Sequence, residues 1–189
     1  EISDVLSGHT AFFRPLLGEN YGLVMFIRKG LRIIEEGELF VYRQKGYVSE
    51  RDVGDHARSI QYAVVSDGNR QITVINFHGL WNGKGKTDTE DRILQSKKIL
   101  AFMKRIEGEC VLCGDLNLLP ETESIRMFEG EGLRNLIKEY GVTSTRTSFY
   151  KKPERHADYV FVTGGIDVID FKILPDEVSD HAPLLIEVR

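Results

Sequence analysis

Short apolar runs recur along the chain and predict β-strands over much of its length. Residues 22–30 and 33–42 have the β-branched and aromatic side chains typical of strands, and residues 60–65 and 72–77 form a stronger pair. The second pair is joined by Ser66-Asp67-Gly68-Asn69, whose composition predicts a hairpin turn. This part of the chain therefore predicts a sheet built largely from antiparallel strands.

Helical periodicity then interrupts the strands. Thr87 and Glu90 have the spacing of a capping box, a broad apolar face follows, and Glu107-Gly108 ends the helix. A second helix is expected to open at Pro120, and a short third helix to cover residues 133–140.

Further short strands are predicted at residues 110–113, 158–162, 168–174 and 184–188. The order strands, helix, strand, helices, strands predicts an α+β fold, with two mainly antiparallel sheets packed face to face and helices outside. Because the chain has 189 residues and no internal repeat or linker, residues 1–189 are expected to form a single domain.

Composition excludes several classes of protein. Hydrophobic residues make up 41% of the sequence and charged residues 29%, as in globular domains rather than disordered chains. The net charge of −4 provides no overall attraction to nucleic acid or anionic lipid, although a local basic rim can outweigh it. No apolar run approaches the roughly 20 residues of a membrane helix and no signal peptide is visible, so we expect no membrane partner.

The two cysteines, Cys110 and Cys113, form a lone Cys-x-x-Cys pair within a predicted strand. A zinc site needs a second pair of ligands at matching spacing, and a redox motif belongs at the start of a helix. Since neither condition is met, we expect reduced, partly buried thiols, which are compatible with a cytoplasmic protein.

The glycine-rich segment 79–87, Gly-Leu-Trp-Asn-Gly-Lys-Gly-Lys-Thr, imitates a phosphate-binding loop. That loop requires a glycine five residues before Gly85, where this chain has Leu80, and Gly79 comes one residue too early. Because a shift of one residue turns the backbone amides away from a common focus, we predict instead a flexible, basic loop at the rim of a site.

Polar side chains interrupt the apolar pattern at four strand ends. They lie in Asn76-Phe77-His78, Gly114-Asp115-Leu116-Asn117, Asp158-Tyr159 and Ser179-Asp180-His181-Ala182-Pro183. Taken singly, each has an ordinary explanation as a turn, a cap or a solvated strand end. Taken together, they predict an active site that hydrolyses phosphate esters and is assembled by the fold from distant segments.

Gly114-Asp115-Leu116-Asn117 is the most specific of the four motifs. Strand alternation puts Asp115 and Asn117 on one side of the chain, where a carboxylate and an amide can share one substrate oxygen or one water. We expect Asp115 to accept a proton or hold the attacking water, and Asn117 to donate to a phosphoryl oxygen. The alternative is an Asx turn that leads into the helix after Pro120.

The ordered motifs Asn-x-His, Gly-Asp-Leu-Asn, Asp-Tyr and Ser-Asp-His-x-Pro resemble those of the endonuclease/exonuclease/phosphatase superfamily, the DNase I-like proteins. The resemblance covers essentially the whole chain and implies a four-layer α/β/β/α sandwich that cleaves a P–O bond with Mg²⁺. Members also carry an earlier strand with an Asn and a second strand ending in Gln-Glu, whose Glu is the main metal ligand. Glu1 resembles that Glu, so the domain is expected to be incomplete at its N-terminal end.

The resemblance implies a metal site and a base. Glu1, with Asp180 nearby, would hold Mg²⁺ or Mn²⁺, because carboxylates are the ligands that these ions prefer and the thiolates or multiple histidines of a structural zinc site are missing from the motifs. Asp115 would position or deprotonate the attacking water.

The resemblance assigns phosphate recognition and proton transfer to the remaining residues. His78 and Asn117 would donate hydrogen bonds to the phosphoryl oxygens as charge builds on them. Asp158 would hold His181, fix its tautomer and raise its pKa, so that His181 binds phosphate as a cation or transfers a proton. Arg58 matches a family position that reaches the phosphate, the alternative being an ordinary surface arginine. We expect five side chains to converge in one pocket roughly 10 Å across: His78, Asp115, Asn117, Asp158 and His181.

The substrate class is less sharply predicted. The expected rim of the site interleaves basic and aromatic residues, which suits single-stranded or distorted nucleic acid and equally any other polyanion. Its members are Lys84, Lys86, Arg146, Lys151, Lys152, Arg155 and His156, with Trp81 and Tyr150 among them. A nuclease or related phosphodiesterase is the leading hypothesis. The alternatives are a phosphatase of a phosphorylated small molecule or inositol phosphate, and a non-catalytic binding module if the N-terminal strands are genuinely absent.

Overall fold

A computed structural model describes residues 2–50 and 54–189 of the protein. The described residues form four helices and ten strands, numbered here in chain order. The helices are α1 (Ile2–Val5), α2 (Glu90–Met103), α3 (Glu123–Gly130) and α4 (Leu136–Glu139). The strands are β1 (His9–Leu17), β2 (Tyr21–Arg28), β3 (Arg32–Tyr42), β4 (Arg58–Ser66), β5 (Gln71–His78), β6 (Glu109–Asp115), β7 (Arg134–Asn135), β8 (Asp158–Val162), β9 (Val168–Ile173) and β10 (Leu184–Val188).

Six of the strands form one mixed sheet in the order β3-β4-β5-β6-β8-β7. Neighbours run antiparallel except β5 and β6, which are parallel and are connected through α2. The register pairs His78 of β5 with Asp115 of β6, and Asp115 with Asp158 of β8. Three of the polar strand ends are thereby aligned across adjacent strands.

The two faces of this sheet pack against different elements. On one face Tyr62 contacts Phe102 of α2, with ring centroids 4.9 Å apart. On the other face the Gln61 amide donates to the carbonyl of Phe12 in β1 at 2.8 Å. Since adjacent residues of a strand point to opposite faces, α2 covers one side of the sheet and the β1–β2 hairpin the other.

The β9–β10 hairpin joins the same hydrophobic core. Phe171 of β9 is buried, and Ile173 and Leu184 pack against the core from the two strands of this hairpin. The α+β sandwich predicted from the sequence is confirmed, with one parallel pair inside its largest sheet. Within the described part of the chain, no helix has the length and apolar character needed to cross a membrane.

Helix α2 begins later than the capping-box spacing predicts. Thr89, rather than Thr87, is its N-cap, and the Thr89 hydroxyl accepts from the Arg92 amide at 3.3 Å. Thr87 remains in the preceding loop, where its carbonyl accepts from the buried guanidinium of Arg92. The hydrogen bond from Arg92 to the Thr87 carbonyl therefore keeps Thr87 in the loop, although the sequence spacing predicts it as the N-cap.

The other boundaries differ for similar reasons. Helix α3 begins at Glu123 rather than Pro120, because Asp88 of the loop before α2 accepts from the Glu123 amide. The helix predicted over 133–140 is reduced to α4, since the chain first forms the two-residue strand β7. Strand β1 was not predicted, because its buried and exposed positions do not alternate regularly.

Both cysteines lie in β6 as free thiols. Burial raises the pKa of Cys110 and of Cys113 to about 11, so both remain protonated near neutral pH. These thiols therefore have the inert, structural character that the sequence predicts.

Gly114 allows β5 and β6 to approach closely beside the polar strand ends. Its φ is +137°, a conformation that residues with a side chain rarely adopt. A Cβ at this position would overlap the backbone carbonyl of Phe77 on β5. The glycine that precedes Asp115 is therefore required by the backbone geometry.

Replacing Gly114 with Ala is expected to destabilise the protein by about 1–3 kcal/mol or more, because backbone strain adds to the overlap with β5. The free energy of unfolding in urea measures the effect. Gly130→Ala is the matched control, since Gly130 lies in α3 and a Cβ there meets open space. Equal stabilities for the Gly114→Ala and wild-type proteins would contradict the argument.

Candidate active site

The ends of β5, β6 and β8 bring ionisable side chains close together. His78 Nε2 lies 4.0 Å from Asp115 Oδ2, and Asp158 starts the neighbouring strand. His181 comes from the segment before β10, which an isolated bridge to Arg146 holds beside the sheet. Residues from all four motifs predicted from the sequence meet at one cavity of about 500 Å³.

Asp158 and His181 form a close pair. Both carboxylate oxygens of Asp158 lie within hydrogen-bond distance of His181 Nδ1, at 2.8 and 2.9 Å. This hydrogen bond raises the pKa of His181 above its ordinary value, against the opposing effect of burial. His181 Nε2 lies on the cavity side, 3.7 Å from Asp115 Oδ2. The expected pairing of the two residues is present.

Asp115 lies between the two histidines, with 17% of its side chain exposed. Burial raises the pKa of Asp115 to about 6, and the negative charge of Asp158 adds to this effect, while His181 opposes it. A carboxyl group with a pKa close to neutrality can both accept and release a proton near physiological pH. The position of Asp115 is suited to a general base.

Asn117 is positioned by a turn rather than by strand alternation. Its φ is +54°, and its backbone N–H donates to Asp115 Oδ1 at 2.7 Å, which is an Asx turn. The side-chain amide is buried, donates to the Gly79 carbonyl at 3.2 Å and lines the cavity. The alternation argument is therefore wrong, because β6 ends at Asp115, and the turn itself brings the amide to the cavity.

His78 has an environment opposite to that of His181. Burial, with the nearby positive charge of Arg58 as the next cause, lowers the pKa of His78 to about 3. His78 is therefore neutral near physiological pH and can donate from only one ring nitrogen at a time.

Arg58 is not a surface arginine, since only 1% of the residue is exposed. Its Nη2 donates to the Gly54 carbonyl at 2.9 Å, whereas Nε and Nη1 have no hydrogen-bond partner among the described residues. Buried donors without acceptors are costly. Because Arg58 lines the cavity, an anion bound there could supply the acceptors that these donors lack.

A cationic wall lines another part of the cavity. It consists of Lys86, Arg146 and Lys152 with the rings of Trp81 and Tyr150. The Lys86 Nζ lies 5.0 Å and the Arg146 Cζ 4.4 Å from the centroid of the Tyr150 ring, and the Lys152 Nζ lies 6.0 Å from that of Trp81. These are cation–π distances, so the aromatic rings help to hold the positive charges at the cavity.

Fewer residues of the predicted basic rim line the cavity than the sequence predicts. Four members of the rim lie outside the lining of the cavity: Lys84, Lys151, Arg155 and His156. The loop over residues 79–87 is not a free rim either, because Lys86 is 5% exposed and its Nζ donates to the His156 carbonyl at 2.7 Å. Burial of Lys86 thus anchors a loop that the sequence predicts to be flexible.

The carboxylate of Asp180 lines the cavity and is paired with Arg146, whose Nη1 donates to it at 2.8 Å. A separate group of donor atoms, from Asp115, Asp158 and His181, lies within 4.8 Å of one another. The carboxylate oxygens around this cavity fit a hard divalent cation such as Mg²⁺ or Mn²⁺. Glu1, the other predicted ligand, lies outside the described residues.

Two polar side chains of the cavity lining were not predicted from the sequence. Tyr21 begins β2, and its hydroxyl lies 3.3 Å from His78 Nδ1. The ring of His56 meets the Tyr21 ring edge-on, with centroids 5.3 Å apart. A tyrosine in a strand reflects ordinary β-propensity, and a loop histidine has no spacing signal, so neither stands out before the fold is known.

A model of the Endonuclease/Exonuclease/phosphatase family matches residues 7–181 of the chain. The protein belongs to this family. The resemblance inferred from the motifs is confirmed, and because members hydrolyse phosphoester bonds, the protein is a phosphoester hydrolase by family.

Solved structures share the fold at low sequence identity. A mannosyl-6-phosphatase of Bacteroides thetaiotaomicron is similar with a TM-score of 0.79 and 19% identity, covering 100% of this chain and 79% of that one. The human nocturnin catalytic domain, solved with a bound sulfate anion, is similar with a TM-score of 0.69 and 13% identity, and the match covers 98% of this chain and 76% of that one. A humanized TDP2 of D. rerio is similar with a TM-score of 0.76 and 12% identity, and the match covers 100% of this chain and 79% of that one. No curated protein sequence matches the chain.

In metal-free protein the pKa of His181 is expected to lie above its ordinary value, and Asp158→Asn should lower it. Since the folded state binds this proton more tightly, the pair stabilises the fold fully below the unfolded histidine pKa of about 6.5, and this contribution is lost as the pH rises through the higher folded value. Asp158→Asn should therefore reduce the free energy of unfolding more at about pH 5.5 than at about pH 9.

NMR titration of the imidazole groups and urea unfolding at the two pH values provide the measurements. Asp170→Asn is the control, because Asp170 is partly exposed on β9 and pairs with Lys172 rather than with a histidine. An unchanged His181 titration in the Asp158→Asn protein would refute the role of the pair.

Proposed function

We propose that the protein is a divalent-metal-dependent phosphoesterase that acts preferentially on phosphodiesters of nucleic acid. The position of Asp115 carries the proposal. Asp115 lies within 4.0 Å of two histidines, one paired with Asp158 and the other neutral. This arrangement combines a proton acceptor with donors of different charge in one cavity, as phosphoester hydrolysis requires.

Asp115 is the proposed general base. With a pKa near 6, it is ionised at neutral pH and can take a proton from the attacking water. The Asx turn at Asn117 fixes the Asp115 carboxylate, because Asp115 Oδ1 accepts a hydrogen bond from the Asn117 backbone N–H and Asp115 Oδ2 remains on the side of the histidines.

Phosphate binding is assigned to donors around the cavity. The Nε and Nη1 atoms of Arg58 have no partner within residues 2–50 and 54–189, and the Asn117 amide and His78 line the same space. Asp158 favours the protonated form of His181, which places a positive charge close to Asp115. Such donors stabilise the charge that develops on the phosphoryl oxygens during transfer.

A divalent cation fits the acidic side of the cavity. Glu1 and Asp180 are the proposed ligands, beside the carboxylates of Asp115 and Asp158. When bound, Mg²⁺ or Mn²⁺ would supply positive charge that neutralises the phosphoryl group and the leaving oxygen.

The cationic wall supports nucleic acid as the preferred substrate class. Lys86, Arg146 and Lys152 extend positive charge beyond the catalytic group, so a second phosphate of a strand can be accommodated. Trp81 and Tyr150 provide ring faces next to these charges, and base stacking on aromatic rings is typical of single-strand binding.

Hydrolysis of a phosphorylated small molecule is the second candidate. The cavity of about 500 Å³ is within the size range of small-ligand sites. A structurally similar protein, from Bacteroides thetaiotaomicron, is a mannosyl-6-phosphatase. A sugar phosphate could use Arg58 for its phosphate and the cationic wall for its hydroxyl groups.

A panel of phosphoesters assayed with Mg²⁺, Mn²⁺ or EDTA tests both candidates in the full-length protein. We expect EDTA to abolish hydrolysis and either metal to restore it, with single-stranded oligonucleotides turned over faster than sugar or inositol phosphates. Faster turnover of the monoesters would select the second candidate. Undiminished activity in EDTA would reject the metal, and inactivity towards every ester with either metal would indicate a non-catalytic binding module.

Asp115→Asn and His181→Ala are each expected to lower single-turnover rates by roughly 10²–10⁴-fold, the range for an acid–base group. Asp158→Asn should cost less, and its combination with His181→Ala should be little worse than His181→Ala alone, because the two residues act as one unit. Asp170→Asn, at an exposed ion pair, is the matched control. Wild-type rates in both Asp158→Asn and His181→Ala would make the pair purely structural.

A further inference from the structure

Tyr21 reaches the cavity from outside the six-stranded sheet, and the proposed chemistry leaves it without a role. It is the first residue of β2, is 43% exposed and lines the cavity. Its hydroxyl lies 3.3 Å from His78 Nδ1, at the long end of hydrogen-bond distances. This contact joins the β1–β2 hairpin to the end of β5.

Arg58 lines the same cavity as Tyr21 and His78. Burial lowers the pKa of Arg58, and the Tyr21 side chain opposes this effect. Arginine has only N–H donors, so a Tyr21 hydroxyl hydrogen directed at the guanidinium would be unfavourable, whereas one directed at His78 Nδ1, 3.3 Å from the hydroxyl oxygen, can form a hydrogen bond. His78 Nδ1 is then the acceptor for that hydrogen.

A neutral imidazole has one N–H and one bare nitrogen. If Nδ1 accepts from Tyr21, the proton of His78 is on Nε2, which faces Asp115 Oδ2 at 4.0 Å. The other tautomer would place a bare Nε2 beside the Asp115 carboxylate and would turn the Tyr21 hydrogen toward the cation of Arg58. Each of these two contacts would bring charges or dipoles of like sign together, so the tautomer with the proton on Nε2 is favoured.

We propose that Tyr21 is a positioning residue that sets His78 in its Nε2–H tautomer and thereby makes His78 a hydrogen-bond donor in the cavity. The relay runs from the Tyr21 hydroxyl to His78 Nδ1 and through the ring to Nε2, which faces Asp115 Oδ2. Its consequence for turnover rests on the proposed function, in which His78 donates to the phosphoryl group.

Packing alone is the competing explanation. The Tyr21 ring meets His56 edge-on at 5.3 Å and His78 at 6.4 Å, and a phenylalanine would keep both ring contacts. Tyr21→Phe therefore separates the hydroxyl from the ring. Tyr140→Phe is the matched control, because Tyr140 is 42% exposed and contacts Phe171 edge-on, away from the cavity lining.

The direct test is the tautomer of His78 in substrate-free protein, read from long-range proton–nitrogen spectra of the imidazole rings. His78→Gln assigns the signal. We expect Nε2–H in the wild-type protein and a mixture of tautomers in Tyr21→Phe, with Tyr140→Phe unchanged. An Nδ1–H tautomer in the wild type, or the same tautomer before and after loss of the hydroxyl, would overturn the proposal.

Kinetics provide the second test. Tyr21→Phe should lower kcat by about 10- to 100-fold, the effect of removing an outer hydrogen-bond partner, with a small change in KM. Combining Tyr21→Phe with His78→Gln should give no further loss, because Tyr21 acts through His78. Additive losses would show that Tyr21 acts independently and would reject the relay. If the wild type hydrolyses no phosphoester, the proposed function fails, while the tautomer measurement still decides the role of Tyr21.

Discussion

Backbone pairing of β5, β6 and β8 is the constraint on which the site depends. The ladder sets His78 opposite Asp115 and Asp115 opposite Asp158, so three side chains that are far apart in sequence are brought to adjacent strand ends. Because a slip of one residue would turn each side chain to the other face, the register specifies the site as strictly as the core. Gly114 permits this approach, since a Cβ there would meet the backbone of β5.

Charge in the cavity is balanced only in part by the protein itself. Asp180 accepts a hydrogen bond from Arg146, and Lys86 is held by backbone carbonyls and the Tyr150 ring. In the part of the chain that the structure describes, Nε and Nη1 of Arg58 have no acceptor. Burying a cationic donor without an acceptor destabilises the fold. In the proposed function, an anion bound in this cavity would supply these acceptors next to Asp115.

The association of the four motifs in one site could be predicted from the sequence, because polar residues at strand ends are unusual and the order of the motifs is specific. The sequence could not predict which groups are buried. Arg58 and Lys86 look like surface residues in sequence, yet both are buried by contacts with distant segments. The start of α2 depends on Arg92 in the same way, and Tyr21 reaches His78 across 57 positions of sequence. Long-range contacts of this kind leave no periodic signal.

The two histidines beside Asp115 have different surroundings, which give them different pKa values and suit them to different roles. His181 faces an acceptor, the Asp158 carboxylate, which favours the imidazolium and raises its pKa. His78 faces a hydroxyl next to the Arg58 cation, and burial with that positive charge lowers its pKa to about 3. One ring is therefore suited to carry charge and the other to donate a single hydrogen bond without it. Environments that separate two pKa values in this way are typical of acid–base sites, and here the separation arises from the Asp158 carboxylate at His181 and from burial with the Arg58 charge at His78.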